Sequence, residues 1–225
     1  GYLAAHSPLP VPAVHHASKE LLVMDRVPGN SQFDRKAEEH AAELLAACHE
    51  VTHAQGHGLD RDTLIGGLHQ PNPWTTDWLT FFRERRLVYM ADEAARSGRL
   101  PQPVRRRIDA LAAKLDDLLS APAQSALLHG DVWTTNVLAN RGRITAFLDP
   151  AVYYGHPEIE LAFITLFHTF GDSFFDAYHA RRPIAEGFFD TRRDLYNLYP
   201  LLVHVRLFGG GYVSGVERVL QRHGC

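Results

Sequence analysis

Residues 126–150 constrain the fold more than any other stretch of this chain. Helical periodicity stops there. Three short apolar runs, Ala126-Leu127-Leu128, Val137-Leu138-Ala139 and residues 144–148, alternate with a polar loop and a turn at Asn140-Arg141-Gly142. Runs of this length bounded by turn formers read as strands. An apolar strand therefore delivers Asp131 into a loop, Asn136 follows five positions later, and a hairpin returns Asp149 to the same end of a small sheet.

Helical patterns surround this sheet. Ala37, Ala41, Leu44, Leu45, Cys48 and Val51 recur at helical spacing and predict a helix over residues 34–53, ended by Gly56 and Gly58. Thr75-Thr76-Asp77 offers caps for a second helix to about Ser97, with Trp78, Phe81 and Phe82 inward. Pro101 and Pro103 introduce a third, striped by Val104, Ile108, Leu111, Leu115 and Leu118. From Pro157 onward the chain is helical again; Pro200 is expected to kink or divide the helix beginning near Arg192, and Gly209-Gly210-Gly211 separates the last two. Near the start, residues 11–14 and 21–27 read as two strands of a hairpin, and residues 59–73 as a long loop. The fold class is α+β, a mostly helical body around a small hairpin sheet.

Composition excludes several partners. A net charge of -3 argues against a nucleic-acid or anionic-membrane binder, and Arg105-Arg106-Arg107 falls on a solvated helix face. No apolar run is long enough to span a bilayer. Two cysteines, Cys48 on an apolar helix face and Cys225 at the end, make no disulfide framework and suit a reducing cytoplasm. Among 14 histidines, His49, His53 and His57 stand at i, i+4 and i+8, but no glutamate sits between them as in a zinc helix, so surface histidines are the reading.

The acid–amide–acid set is what phosphoryl transfer requires. Magnesium takes oxygen ligands in near-octahedral geometry, and a separate carboxylate must orient the attacking hydroxyl and accept its proton. In protein kinases the catalytic-loop aspartate and its asparagine stand five positions apart, and a metal-binding aspartate follows after a hairpin. Asp131 is accordingly the expected catalytic base, and Asn136 and Asp149 the expected metal and nucleotide ligands; His129 shapes the loop through hydrogen bonds. Trp133, two positions past Asp131, faces the acceptor or else packs in the core. Glu158 and Glu160 are candidates to orient the loop, with a helix-start role open for Glu158.

At these residues the chain resembles the fructosamine kinase family, a branch of the aminoglycoside-phosphotransferase-like kinases. The resemblance rests on Gln70-Pro71-Asn72-Pro73-Trp74, on His129-Gly130-Asp131-Val132-Trp133-Thr134-Thr135-Asn136-Val137-Leu138, and on Asp149-Pro150-Ala151-Val152-Tyr153-Tyr154-Gly155-His156-Pro157-Glu158. It continues at Leu207-Phe208-Gly209-Gly210-Gly211-Tyr212. It implies a protein-kinase-like fold, ATP and Mg²⁺ as cofactors, and phosphorylation of a sugar hydroxyl on ketosamines, free or on glycated proteins, with ribulosamines or erythrulosamines favoured by bacterial members. It also implies substrate contacts at Trp133 and His156. Two departures are Val132-Trp133-Thr134-Thr135, where the family often has Leu-Trp-Ser-Gly, and Glu160, where it often has aspartate.

A kinase also needs a glycine-rich loop and a strand lysine paired to a helix glutamate. Neither is found: no G-x-G-x-x-G occurs, and the lysines are Lys19, Lys36 and Lys114 only. Under the resemblance, residues 1–27 are the end of an N-terminal lobe that is otherwise largely absent, with backbone groups near Asp25 and Val27 meeting the adenine edge, and residues 28–225 are the helical catalytic lobe. Two other readings stand beside it: an aminoglycoside, choline or homoserine phosphotransferase, which the DPAVYYGH stretch speaks against, and a non-catalytic kinase-like binding lobe, which the intact acid–amide–acid set speaks against. Oligomeric state is not read from the sequence.

Overall fold

Pro157, Glu158, Ile159, Glu160, Leu161, Ala162, Phe163 and Ile164 are all buried, so helix α7 (Pro157–Leu166) has no solvent face. The helix belongs to the core, its two glutamates held there by Arg192 and His49. The computed structural model describes all of residues 1–225.

In chain order, α1 (Tyr2–His6) leads into the hairpin β1 (Val14–Ala17) and β2 (Leu22–Met24), then α2 (Arg35–His49). A second hairpin, β3 (Thr63–Ile65) and β4 (Leu68–Gln70), precedes α3 (Trp78–Phe81), which passes through a wider π-helical stretch (Phe82–Val88) into α4 (Tyr89–Arg96). Helices α5 (Gln102–Ala112) and α6 (Leu115–Leu118) follow, then β5 (Ala126–Leu128), β6 (Val137–Asn140), β7 (Arg143–Phe147) and β8 (Tyr153–Gly155). After α7 come α8 (Asp172–Arg181), α9 (Arg193–Phe208) and α10 (Tyr212–Arg222). The strands form four antiparallel pairs, β1–β2, β3–β4, β5–β8 and β6–β7. No helix is long and apolar enough to cross a membrane.

Local chemistry explains most boundaries. Asp34 caps α2 by accepting the Ala37 N–H at 2.9 Å, and Asp77 caps α3 through Leu79 N–H at 3.0 Å. The β6–β7 turn places Arg141 and Gly142 at φ 52 and 73, the left-handed pair that a two-residue hairpin turn requires.

Several expectations need correction. Helix α2 ends at His49, four residues early, and the helix of the third stripe breaks at Ala113-Lys114. The first hairpin is displaced: His15, His16 and Ala17 lie in β1, and Ser18 makes the turn by accepting the Glu20 and Leu21 N–H groups. Residues expected as one loop contain the β3–β4 hairpin, turned at Gly66-Gly67. Pro200 does not divide its helix. α9 runs unbroken from Arg193 to Phe208, and the irregular stretch lies before it at Phe188–Arg192.

Candidate active site

Strand β5 ends at Leu128, paired with Tyr153 of β8, and the next residues form the loop that carries Asp131. Ala151 N–H donates to the His129 carbonyl at 2.9 Å, tying this loop to the segment after Asp149. Gly130 stands at φ 86, and a Cβ there would lie 2.2 Å from the Ala151 carbonyl oxygen, so only glycine permits the two segments to meet.

The loop is braced from beneath by a buried acid. Glu160 Oε1 accepts the Gly130 N–H at 2.6 Å, while Oε2 accepts the His129 N–H at 3.4 Å and His49 Nε2–H at 2.9 Å. His49 Nδ1 in turn accepts from the Tyr178 hydroxyl at 2.6 Å. Burial alone raises a carboxyl pKa, but the hydrogen bonds from His49 and the Gly130 amide outweigh it and hold Glu160 below its ordinary value. Glu160 thus orients the loop, as anticipated. Glu158 does something else: it takes a two-pronged ion pair from Arg192, both contacts at 2.7 Å.

Asp131 and Asn136 meet directly. Asn136 Nδ2 donates to Asp131 Oδ2 at 3.0 Å and to the Asp131 carbonyl at 3.1 Å. The Leu148 N–H donates to the Asn136 carbonyl at 2.8 Å, which brings the residue before Asp149 against the same asparagine. Burial pushes the half-buried Asp131 carboxyl up to about 7, opposed by the Asn136 hydrogen bond and reinforced by the charges of Asp149 and Glu160. That places a proton acceptor near neutrality, where general-base catalysis is most effective. His129 Nδ1 accepts the Asp131 N–H at 3.2 Å; burial lowers its pKa to about 4, so the ring shapes the loop as a neutral group.

Two oxygen donors remain for a cation. Asn136 uses only its NH₂ in hydrogen bonds, and the exposed Asp149 carboxylate makes none. No cluster of three or more His, Cys, Asp or Glu side chains competes as a metal site. One carboxylate and one amide oxygen fit magnesium, which keeps waters and takes the rest of its shell from phosphates. Asp149 itself sits at φ 48, a strained backbone for a residue with a side chain.

Beside Asp149 lies an apolar cavity of about 140 Å³, walled by Val11, Val14, Leu22, Met24, Leu148 and Val152 among others. Asp25 and Val27 follow β2 in the chain, and neither lines this cavity. The Asp25 side chain pairs with His15 at 2.7 Å in solvent, and its N–H donates to the Ala13 carbonyl at 2.9 Å. A second pocket, with about 30 Å³ enclosed, borders Asp131 and Glu160 and is walled by Tyr153, Phe163, Tyr199 and His204.

The remaining candidates divide. Trp133 is half-buried against Phe167, ring centroids 5.7 Å apart, on the loop with Asp131. His156 is not at the acceptor pocket: it is buried between Trp78 and Tyr196 and caps α7 by accepting the Glu158 N–H at 3.1 Å. Burial holds its pKa near 3, so it is a neutral helix cap. The histidine trio also differs from a surface set. His49 and His57 are buried, and His53 stacks on Trp74 at 4.3 Å.

Sequence reasoning passed over Arg86, fully buried with its guanidinium carbon 4.0 Å from the Tyr153 ring centre and 4.5 Å from Phe81. It donates to the Pro71 carbonyl at 2.8 Å and to Asn72 Oδ1 at 2.6 Å, which makes the Gln70–Trp74 motif a structural support for the wall behind Asp131. Gln70 completes that wall, donating to the Ala151 carbonyl at 3.0 Å and accepting from the Tyr199 hydroxyl at 2.6 Å.

Comparison with known proteins places this geometry. A crystal structure assigned as a fructosamine-3-kinase from Thermobifida fusca superposes with a TM-score of 0.87 at 32% identity, covering 98% of this chain and 77% of that one. An aminoglycoside phosphotransferase superposes at 0.69 with 19% identity, over 99% of this chain and 82% of its own, which shows the fold alone. With those shares matched, the expected absence of most of an N-terminal lobe is not supported. A protein assigned as a ketoamine kinase in Synechocystis sp. is 39% identical over 79% of this chain and 59% of its own. The protein-ribulosamine 3-kinase of Arabidopsis thaliana, named chloroplastic, is 35% identical over 75% and 51%. The chain thus spans between half and two thirds of the length of such relatives. The family model described as fructosamine kinase matches residues 3–223, and the chain belongs to that family.

Proposed function

We propose that this chain carries the phosphoryl-transfer site of an ATP-dependent kinase acting on a sugar hydroxyl of ketosamines, in the service of deglycation repair. The observation that carries this reading is the Asp131–Asn136 contact at 3.0 Å beside Asp149, on a loop held from below by Glu160. Asp131 orients the acceptor hydroxyl and takes its proton as the oxygen attacks the γ-phosphorus in line. Asn136 Oδ1 and the Asp149 carboxylate would hold magnesium, which when bound neutralises charge on the phosphates. The apolar cavity beside Asp149 suits an adenine ring, and the backbone near Asp25 and Val27, just past its wall residue Met24, is the proposed partner of the base. Residues 1–27 then act as the nucleotide-side edge and hinge, and residues 28–225 as the catalytic body.

ATP use is supported by a fold neighbour, an aminoglycoside phosphotransferase captured with AMP-PNP and hygromycin B. Ketosamine as acceptor is supported by the names of the relatives. The cytoplasm is the proposed compartment, consistent with two free thiols. Residues 1–225 hold no glycine-rich phosphate loop, and Lys19, Lys36 and Lys114 all lie outside strands.

The test is ADP release with ribulosyl-, erythrulosyl- and fructosyl-lysine, with aminoglycosides as controls. Ketosamine-dependent release that Asp131→Ala abolishes supports the reading. Release with aminoglycosides only, or release indifferent to Asp131→Ala, overturns it.

A further inference from the structure

A row of polar side chains runs from helix α8 through the core to the loop that carries Asp131. The Tyr178 hydroxyl donates to His49 Nδ1 at 2.6 Å, His49 Nε2–H donates to Glu160 Oε2 at 2.9 Å, and Glu160 Oε1 takes the Gly130 N–H at 2.6 Å. Tyr178, His49 and Glu160 are 1%, 0% and 2% exposed. Exchanging a buried polar set for apolar side chains of similar volume is often neutral or stabilising. Glu160 has its own reason to be polar, since two loop amides need an acceptor. Fold stability does not explain why His49 and Tyr178 stand behind it.

Orientation does. A carboxylate turns in a broad torsional well about its last bond, and an imidazole does so about its own. Pinning one carboxylate oxygen fixes where the other points. His49 pins Oε2, and Oε1 is thereby aimed at Gly130. Tyr178 fixes His49 in the same way: its hydroxyl fills the Nδ1 lone pair, which leaves the imidazole proton on Nε2, facing the acid. Tyr178 is set by packing, its ring stacked on Phe174 with centroids 6.0 Å apart. At the other end, the Gly130 peptide leads directly into Asp131, so its setting is the setting of the Asp131 side chain.

We propose that His49 and Tyr178 are positioning residues: through Glu160 they set the Gly130 peptide, and so the angle at which Asp131 meets the acceptor hydroxyl. This rests on the phosphoryl-transfer reading of Asp131 and deepens it. Neither residue lines the pocket at Asp131. Their removal therefore acts on the chemical step and leaves substrate binding in place.

The test compares Tyr178→Phe, His49→Leu and His49→Gln in ketosamine-dependent ADP release, in thermal melting and in backbone amide exchange. His49→Leu should lower kcat about thirtyfold and Tyr178→Phe about fivefold, with KM for ATP and for the ketosamine within about twofold of wild type. His49→Gln, which keeps an N–H to offer Glu160, should return kcat to within about fivefold of wild type. The double variant, His49→Leu with Tyr178→Phe, should turn over no more slowly than His49→Leu, because the hydroxyl acts only through the ring. The Gly130 amide should exchange about tenfold faster in His49→Leu, while that of Leu202 in α9 keeps its wild-type rate. Tyr178→Phe removes one oxygen and keeps the stacked ring, so it should fold normally. The inference is overturned if kcat is unchanged, if KM rises as far as kcat falls, if the Gln and Leu variants behave alike, or if the two losses multiply in the double variant. A loss of turnover that only follows the unfolded fraction overturns it too. Gly130 exchange that depends on His49, in a protein with no ketosamine-dependent ADP release, supports the positioning of the loop and sinks the kinase reading alone.

Discussion

The catalytic loop and the first hairpin are built on opposite terms. The loop at His129–Asn136 is tied into the chain's own interior: Glu160, His49 and Tyr178 below, Asn136 across, Ala151 alongside. The β1–β2 hairpin has two strands with every residue exposed, and Val14, Leu22, Val23 and Met24 are each 41% to 52% open to solvent. A lone two-stranded hairpin is marginal in water. Preorganisation is therefore concentrated at the proposed catalytic loop, and the first hairpin, proposed as the nucleotide-side wall, has little stability of its own.

Five experiments sharpen or break this contrast. The largest effect expected is Asp131→Asn, which should reduce turnover by roughly a thousandfold or more while leaving ATP affinity within a few-fold; turnover is read as ADP release and affinity by titration. Equal loss of both would mean that the loop serves nucleotide binding instead. Next is Glu160→Ala. It leaves the His49 N–H and the Gly130 amide facing an apolar void and should cost about 3–5 kcal/mol in denaturant unfolding, with turnover lost alongside.

The third concerns pH in metal-free buffer. The Asp131 carboxyl is raised to about 7 in the folded chain, above its ordinary value near 3.8. The native state therefore binds the extra proton between these values, and stability falls as pH rises from about 4 to about 7. Asp131→Asn removes that penalty, so its melting temperature relative to wild type should climb across this window and level off above it. A difference that does not change with pH would show that the carboxyl titrates normally. The smallest effect is Val23→Thr on the hairpin, expected to shift unfolding by about 0.5 kcal/mol or less. In hydrogen exchange, the Gly130 amide should outlast that of Val23 by orders of magnitude.

Sequence legibility follows the same divide. The stretch from Ala126 to Asp149 could be read because its signals are local: apolar runs, the turn at Arg141-Gly142, and a fixed acid–amide spacing. The pairing of Leu128 with Tyr153 could not, because β8 is three residues long and its partner lies across the whole hairpin. His49 looked like a surface residue because its partner Glu160 is 111 positions away. His156 shared a motif with Asp149 but points into the core, a distinction that spacing does not encode. The β3–β4 hairpin did leave a trace, Gly66-Gly67 between apolar flanks, which is a two-residue turn signal.

After β2 the chain does not hang free. Asn30 exchanges both backbone hydrogen bonds with Ala139, at 3.0 and 2.8 Å, Thr145 Oγ1 donates to the Pro28 carbonyl at 2.9 Å, and Ser31 Oγ to the Val137 carbonyl at 3.0 Å. This stitches the hairpin's exit onto the strand that begins one residue after Asn136. If the hairpin meets the base and Asn136 holds the cation, as proposed, any rocking of the one is geared directly to the other, so purine and metal should enter as a coupled pair, each tightening the other's hold.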